Sequence, residues 1–124
     1  MVTKRLARLN EQLKREISEL IRRKVRDPRV GPVTITSVET ARDLGSARVY
    51  VSAQNPNDEL TESLAGLEAA ASFLRRELGR SLHLRRVPEL RFQQDHSLDQ
   101  ARRIEEILSD VVYSDLDEDE EDLE

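Results

Sequence analysis

Ten cations in two groups are the residues of this sequence best suited to chemistry: Lys4, Arg8, Arg15, Arg22 and Arg26, and then Arg75, Arg76, Arg80, Arg85 and Arg86. A guanidinium offers a planar fork of donors that matches phosphate oxygens, and an ammonium adds a compact positive charge. Clustered cations of this kind bind polyanions; they do not make or break bonds. Residues for covalent or metal chemistry are sparse. There is no cysteine, which excludes a disulfide framework, a thiolate metal site and a cysteine nucleophile. His83 and His96 have no neighbour at metal-ligand spacing, and the glycines at 31, 45, 66 and 79 match neither a P-loop nor a dinucleotide fingerprint. An enzyme is disfavoured, and no catalytic residue, metal or cofactor is expected.

The formal net charge of −5 hides the basic groups because it sums unlike segments. "YSDLDEDEEDLE", Tyr113 to Glu124, holds eight acids and no base, which leaves residues 1–112 with 20 bases against 17 acids. Within them, Met1 to Arg26 carries nine bases against three acids, and Arg75 to Arg91 six against two. A mildly basic domain over 1–112 with an acidic, disordered tail over 113–124 is expected. Calcium loops need a fixed order of oxygens and a turn glycine, and the tail has neither. Its plain interpretation is a solubilising tail; the sharper alternative is that it folds back over the basic patch. No apolar run approaches the ~20 residues of a membrane span, and lysine and arginine interrupt the leucines near the amino terminus where a signal peptide would be apolar. A cytoplasmic, monomeric protein is expected.

The elements that must position the cations follow from periodicity. Leu6, Leu9, Leu13, Ile17, Leu20, Ile21 and Val25 repeat at three- and four-residue steps and define an amphipathic helix. At ~100° per residue, Lys4, Arg8, Arg15, Arg22 and Arg26 fall together on its opposite side. "RDPRVGP" ends the helix. "VTITSVET" and "SARVYVS" read as strands joined by the turn "ARDLG", an antiparallel hairpin. Asn55, Asn57 or Asp58 then offers a cap for a second helix, which Leu60, Leu64, Leu67, Ala71, Leu74 and Leu78 carry to Gly79 as its left-handed end. A third strand is expected between Leu84 and Gln94, with Pro88 at its start. Ser97 and Gln100 form a capping box for a last helix through Leu98, Ala101, Ile104, Leu108 and Val111. Three strands with helices on one face make a two-layer α+β domain. Aromatic side chains are few and Phe73 and Phe92 read as core, so any RNA contact rests on arginine, phosphates and shape, with strong salt dependence.

"LHLRRVPELRFQQDHSLDQARRIEEIL", with the preceding "LG", closely resembles the carboxy-terminal signature of the bacterial ribosome-binding factor A family. "RDPRVG", "VTITSVETARDLGSARVYVS" and the basic first helix are similar to the rest of its pattern, and the combination of Arg86-Val87-Pro88-Glu89-Leu90 with Phe92, Asp95 and Ser97 is specific. The resemblance implies a KH-type fold of type II topology in the order α-β-β-α-(kink)-α-β-α. It implies a non-enzymatic factor that binds the small (30S) ribosomal subunit near its decoding region during late maturation. Processing of the 16S rRNA and growth in the cold depend on the family, and a ribosome-associated GTPase aids its release in some bacteria. The family replaces the G-x-x-G loop of ordinary KH domains by an interhelical kink at an Ala-x-Gly tripeptide. Here that position is Ala70-Ala71-Ser72, so a bend near Ser72 is expected. Arg75, Arg76, Arg80, Arg85 and Arg86 would flank it and, with the first-helix stripe, hold rRNA phosphates. For Arg86 and Arg91 the alternative is pairing with Glu89 or Asp95. The competing function is a KH-like adaptor whose main partner is an assembly protein such as that GTPase.

Overall fold

The computed structural model describes residues 3–55, 59–97 and 103–108. The first helix, α1 (Lys4–Lys24), starts where the Thr3 hydroxyl accepts the Leu6 N–H at 3.1 Å. It ends with Arg22, Arg23 and Lys24 at the negative pole of its dipole. Leu13, Ile17 and Leu20 are buried, with Leu9, Ile21 and Val25 packed beside them. β1 (Val33–Thr40) and β2 (Ser46–Ala53) form the expected antiparallel hairpin. Between Ile35 and Ser37 the register shifts by a bulge, and this lets Ile35 and Val38, three residues apart, both face the core. The hairpin turn holds Leu44 at φ 62°, in the left-handed region.

The second helix, α2 (Thr61–Ser81), leads to β3 (Glu89–Gln94), which lies parallel to β2 in the order β1-β2-β3. Ala47, Val49 and Val51 of the central strand, Leu90 and Phe92 of β3 and the buried faces of both helices join in one core. At ~1.5–3 kcal/mol per buried aliphatic side chain, this shared layer holds the two helices on the sheet. The opposite face, with Glu39, Arg48, Glu89, Arg91 and Gln93, is open to solvent.

Several expectations are corrected. The interhelical kink at Ala70, Ala71 and Ser72 does not divide the helix, because α2 runs through it as one helix of 21 residues. Alanines are the strongest helix formers, and Ser72 lacks the backbone freedom that glycine would bring to a break. Gly79 does not end α2; the helix continues to Ser81 and the left-handed residue is His83, φ 51°. Instead the missing Cβ of Gly79 admits Val87, whose Cγ2 would stand 3.3 Å from it. The amino-terminal cap is Leu60, with no side-chain hydrogen bond, rather than Asn55. Asn57 and Asp58 lie outside the described residues. Of the expected last helix, residues 103–108 are helical; Gln100 of the capping box, the remainder of that helix and the tail lie outside the described residues.

Two tight contacts lock the connections. The loop after α1 rests on α2 at Gly66, where a Cβ would meet Val30 Cγ2 at 2.9 Å and Val30 N at 3.2 Å. At the end of β3, the Asp95 carboxylate accepts the Thr36 hydroxyl of the bulge at 2.5 Å and the Ser97 N–H at 2.8 Å, while the Asp95 N–H donates to Val51 O at 2.7 Å. The bonds from Ser97 and then Thr36 hold the Asp95 carboxyl below its ordinary range.

Gly66→Ala is expected to lower stability by about 1–2 kcal/mol, overpacking at Val30 outweighing the gain in helix propensity. Gly79→Ala, which meets only a side-chain methyl, is expected to be no less stable than the wild type; urea unfolding of the two variants checks the contrast. Because the Asp95 pKa is lowered on folding, its contribution is present above the unfolded value of ~3.9 and is lost as pH falls through the folded value. Asp95→Asn should therefore reduce stability at pH 7 and shrink the loss of stability between neutral and strongly acidic pH. Parallel unfolding curves with an unchanged gap would refute that linkage.

Candidate nucleic-acid interface

Both helices lie on one side of the sheet, so their outer faces form one surface. Lys4, Arg8, Arg15 and Arg22 are exposed on the outer side of α1, and Arg26 is exposed just past its end. At 1.5 Å per residue the helix extends this row over about 30 Å. On α2, Arg76 and Arg80 are exposed one turn apart, opposite the buried Leu74 and Leu78. The structure brings the carboxy-terminal end of α1 to the same part of α2. Lys24, Val25, Arg26 and Asp27 line a small groove with Ala69, Ala70 and Phe73. Lys24 Nζ stands 3.1 Å from Glu77 Oε2, and Arg80 Nη1 stands 3.8 Å from Glu77 Oε1.

These acids reduce the free charge. Glu19 accepts from Arg22 Nη2 at 2.8 Å and forms an ion pair with Arg23 Nε, 2.9 Å away, so the three residues together carry one positive charge. Exposed pairs of this kind contribute at most about 1 kcal/mol each and exchange readily for a stronger anion. Asp27 accepts the Arg29 N–H at 3.0 Å and Arg29 Nη2 at 2.7 Å. The Arg29 side chain pulls the Asp27 carboxyl down to about 2, and Asp27 raises Arg29 in turn. That mutual pairing commits Arg29 to the loop.

The five cations expected around the kink divide. Arg76 and Arg80 belong to the outer surface of α2. Arg75, about 100° round the helix from Arg76, donates from Nη2 to Val87 O at 3.1 Å and ties the segment before β3 to α2. Arg85 and Arg86 are exposed in that segment, ahead of β3 and not within it, since the strand begins at Glu89. Among the described residues neither Arg86 nor Arg91 pairs with Glu89 or Asp95. Lys24 and Arg23 were not among the expected contacts. Lys24 falls on the apolar side of the wheel and reaches the interface only because the helix ends there; its sequence signal was Glu77 in the facing helix.

The surface can hold phosphate oxygens at several points along two helices. Among the described residues no group of three or more His, Cys, Asp or Glu could hold a metal ion, and no helix is long and apolar enough to cross a membrane.

Comparison with known proteins gives this surface its context. Residues 5–108 match the family described as ribosome-binding factor A. The chain is 45% identical over 123 residues to ribosome-binding factor A of Pseudomonas putida strain W619, covering 95% of this chain and 93% of that protein. The crystal structure of ribosome-binding factor A from Thermus thermophilus superposes with a TM-score of 0.64 at 34% identity, covering 72% of this chain and 94% of the other. A homology model of the Thermus thermophilus factor, fitted into a cryo-EM map of its 30S complex, superposes with a TM-score of 0.59 at 32% identity, covering 70% and 91%. With a match across both basic groups and all three strands, the chain belongs to the ribosome-binding factor A family.

Proposed function

We propose that the chain is a non-enzymatic assembly factor that binds the small (30S) ribosomal subunit during its late maturation and supports 16S rRNA processing. The observation that carries it is the set of exposed cations on the outer faces of α1 and α2. In this proposal residues 1–112 are the binding domain and 113–124 an acidic tail. The mixed sheet, with β1 antiparallel and β3 parallel to β2 and both helices on one face, supports a KH-type, type II assignment of the fold. Lys4, Arg8, Arg15 and Arg26 offer uncommitted cations along α1, Arg76 and Arg80 continue them on α2, and Arg85 and Arg86 flank that row. Arg22 joins them by exchanging Glu19 for a phosphate. Among the described residues the sole aromatic side chain of the open sheet face, Tyr50, is half-buried and donates its hydroxyl to Glu39 at 3.3 Å. This favours a grip on the backbone of folded RNA over stacking of single bases.

Co-sedimentation with isolated 30S subunits, 50S subunits and 70S ribosomes over a range of salt tests the proposal. Selective recovery with 30S, weakening as salt rises, is expected, whereas equal recovery with all three particles would reduce the surface to a non-specific RNA binder. Capture of a protein partner that survives RNase treatment, without 30S recovery, would favour an adaptor instead. Arg76→Ala with Arg80→Ala should weaken 30S binding about tenfold and lower the salt slope by roughly one per cation, with the melting temperature near wild type. Arg75→Ala should behave oppositely, costing about 1 kcal/mol or less of stability through the lost bond to Val87 O, with a smaller effect on binding.

A further inference from the structure

The small groove between the end of α1 and the middle of α2 is a notch with two closed ends. At one end the turn after α1 bears on Gly66 through Val30; at the other, Lys24 reaches Glu77 at 3.1 Å. Gly66, Ala70, Phe73 and Glu77 follow at steps of four, three and four, so one side of α2 runs past both contacts. Between them stand Ala69 and Ala70, whose side chains are too short to fill the space between two helices held apart by larger neighbours. An open space of about 220 Å³ is left, and the half-buried Val25, Ala70 and Phe73 make its apolar wall.

The rim of this notch is positive. Of the charged residues that line it, Lys24 and Arg26 stand against Asp27. Asp27 is matched by Arg29, and Glu77 is shared by Lys24 and Arg80, so the four cations and two acids leave two positive charges. Arg26 is exposed and has no ion pair among the described residues.

Size and charge together select the occupant. The volume lies below the ~300 Å³ at which sites for whole drug-sized molecules begin, so the notch suits one group of a larger molecule held elsewhere. An apolar protein side chain would cover the alanines and Phe73 and leave the cations unused. A nucleotide answers both, because its base has a flat face for an aromatic wall and its phosphate accepts from a guanidinium. Bases inside a duplex are stacked on their neighbours, whereas an unpaired base in a bulge or loop can be splayed out.

We propose that the notch takes one unpaired base of the bound RNA against Phe73, with the phosphate beside that base on Arg26. The proposal rests on the proposed function and deepens it. A surface that otherwise holds backbone gains one point at which a bulge or loop is required, and a uniform duplex does not meet that requirement.

An RNA hairpin with one bulged adenosine, compared with the same hairpin carrying an abasic residue at the bulge, tests the site in the full-length protein. The first should bind about fivefold or more tightly at low salt, the lower end of what stacking of one base contributes. Ala69 is exposed on the helix, so Ala69→Gln should close the notch and abolish this preference, with melting temperature and salt slope near wild type. Phe73→Leu, which keeps an apolar side chain and removes the ring, should reduce the preference as well. Arg26→Ala should instead weaken both hairpins and lower the salt slope by roughly one. Equal affinity for the two hairpins, or no binding of either, would overturn the base site, and selective recovery of the wild type with 30S would still uphold the proposed function. A preference that survives both Ala69→Gln and Phe73→Leu would place the base elsewhere and overturn the notch. Equal hairpin binding combined with weaker 30S recovery of Ala69→Gln would overturn the base in favour of a protein side chain of the subunit. A preference lost in both variants, without selective 30S recovery of the wild type, would uphold the notch and count against the proposed function.

Discussion

The approach of Val30 to the backbone of α2 at Gly66 is the constraint on which the arrangement of the cationic surface depends. Val30 is buried, and its N–H donates to Asp27 O at 3.1 Å, so it arrives as part of a turn already closed on itself. The Asp27 carboxylate binds both the backbone and the guanidinium of Arg29, which stiffens the same turn. A turn so closed cannot yield at one atom; pushing it off α2 moves both of its ends. One end is the terminus of α1, with Lys24 and Arg26, and the other is the entry to β1. The distance between the outer faces of α1 and α2, and the width of the notch between the two helices, are thus set where a single hydrogen atom takes the place of a methyl group.

The periodic parts of the fold were legible in the sequence because burial imposes periodicity. β1 spans the same eight residues that β-branched composition marks, and the buried residues of α1 are those of its leucine and isoleucine repeat. The bulge in β1 also left a trace, since Val33 and Ile35 are in phase with each other and out of phase with Val38 and Thr40. What failed was reasoning from single residues. Gly79 suits a helix end, but its lack of a side chain serves the close approach of Val87, and composition alone does not separate the two uses. The division of the helix at Ser72 rests on a family pattern in which glycine stands at that place, and here α2 is continuous through it. The local residues favoured an uninterrupted helix, and local preference prevailed.

The candidate site was legible as charge and illegible as geometry. Counting bases located both cationic groups, but a count assigns Arg75 and Arg76 the same role. One turns toward the segment before β3 and binds a carbonyl; the other turns to solvent. Counterions escape a count for the same reason. Glu77 belongs to the second helix in sequence, yet its carboxylate stands between Lys24 of the first and Arg80 of its own. It allows two helix ends of like charge to lie together, and it leaves their cations close enough to act on one polyanion.

The continuity of α2 links these observations. A helix broken at Ser72 would turn its second half relative to the first, and with it the direction of every arginine from Arg75 to Arg80. In one uninterrupted helix the direction is fixed by Leu67, Leu74 and Leu78, all fully buried against the sheet. Arg76 and Arg80 then face away from the sheet as Arg8 and Arg15 do on α1, while Arg75 falls beside Val87. The same three leucines that hold α2 on the core therefore select which of its arginines share the outer surface. Continuity through position 72 preserves that selection by keeping both halves of the helix in phase.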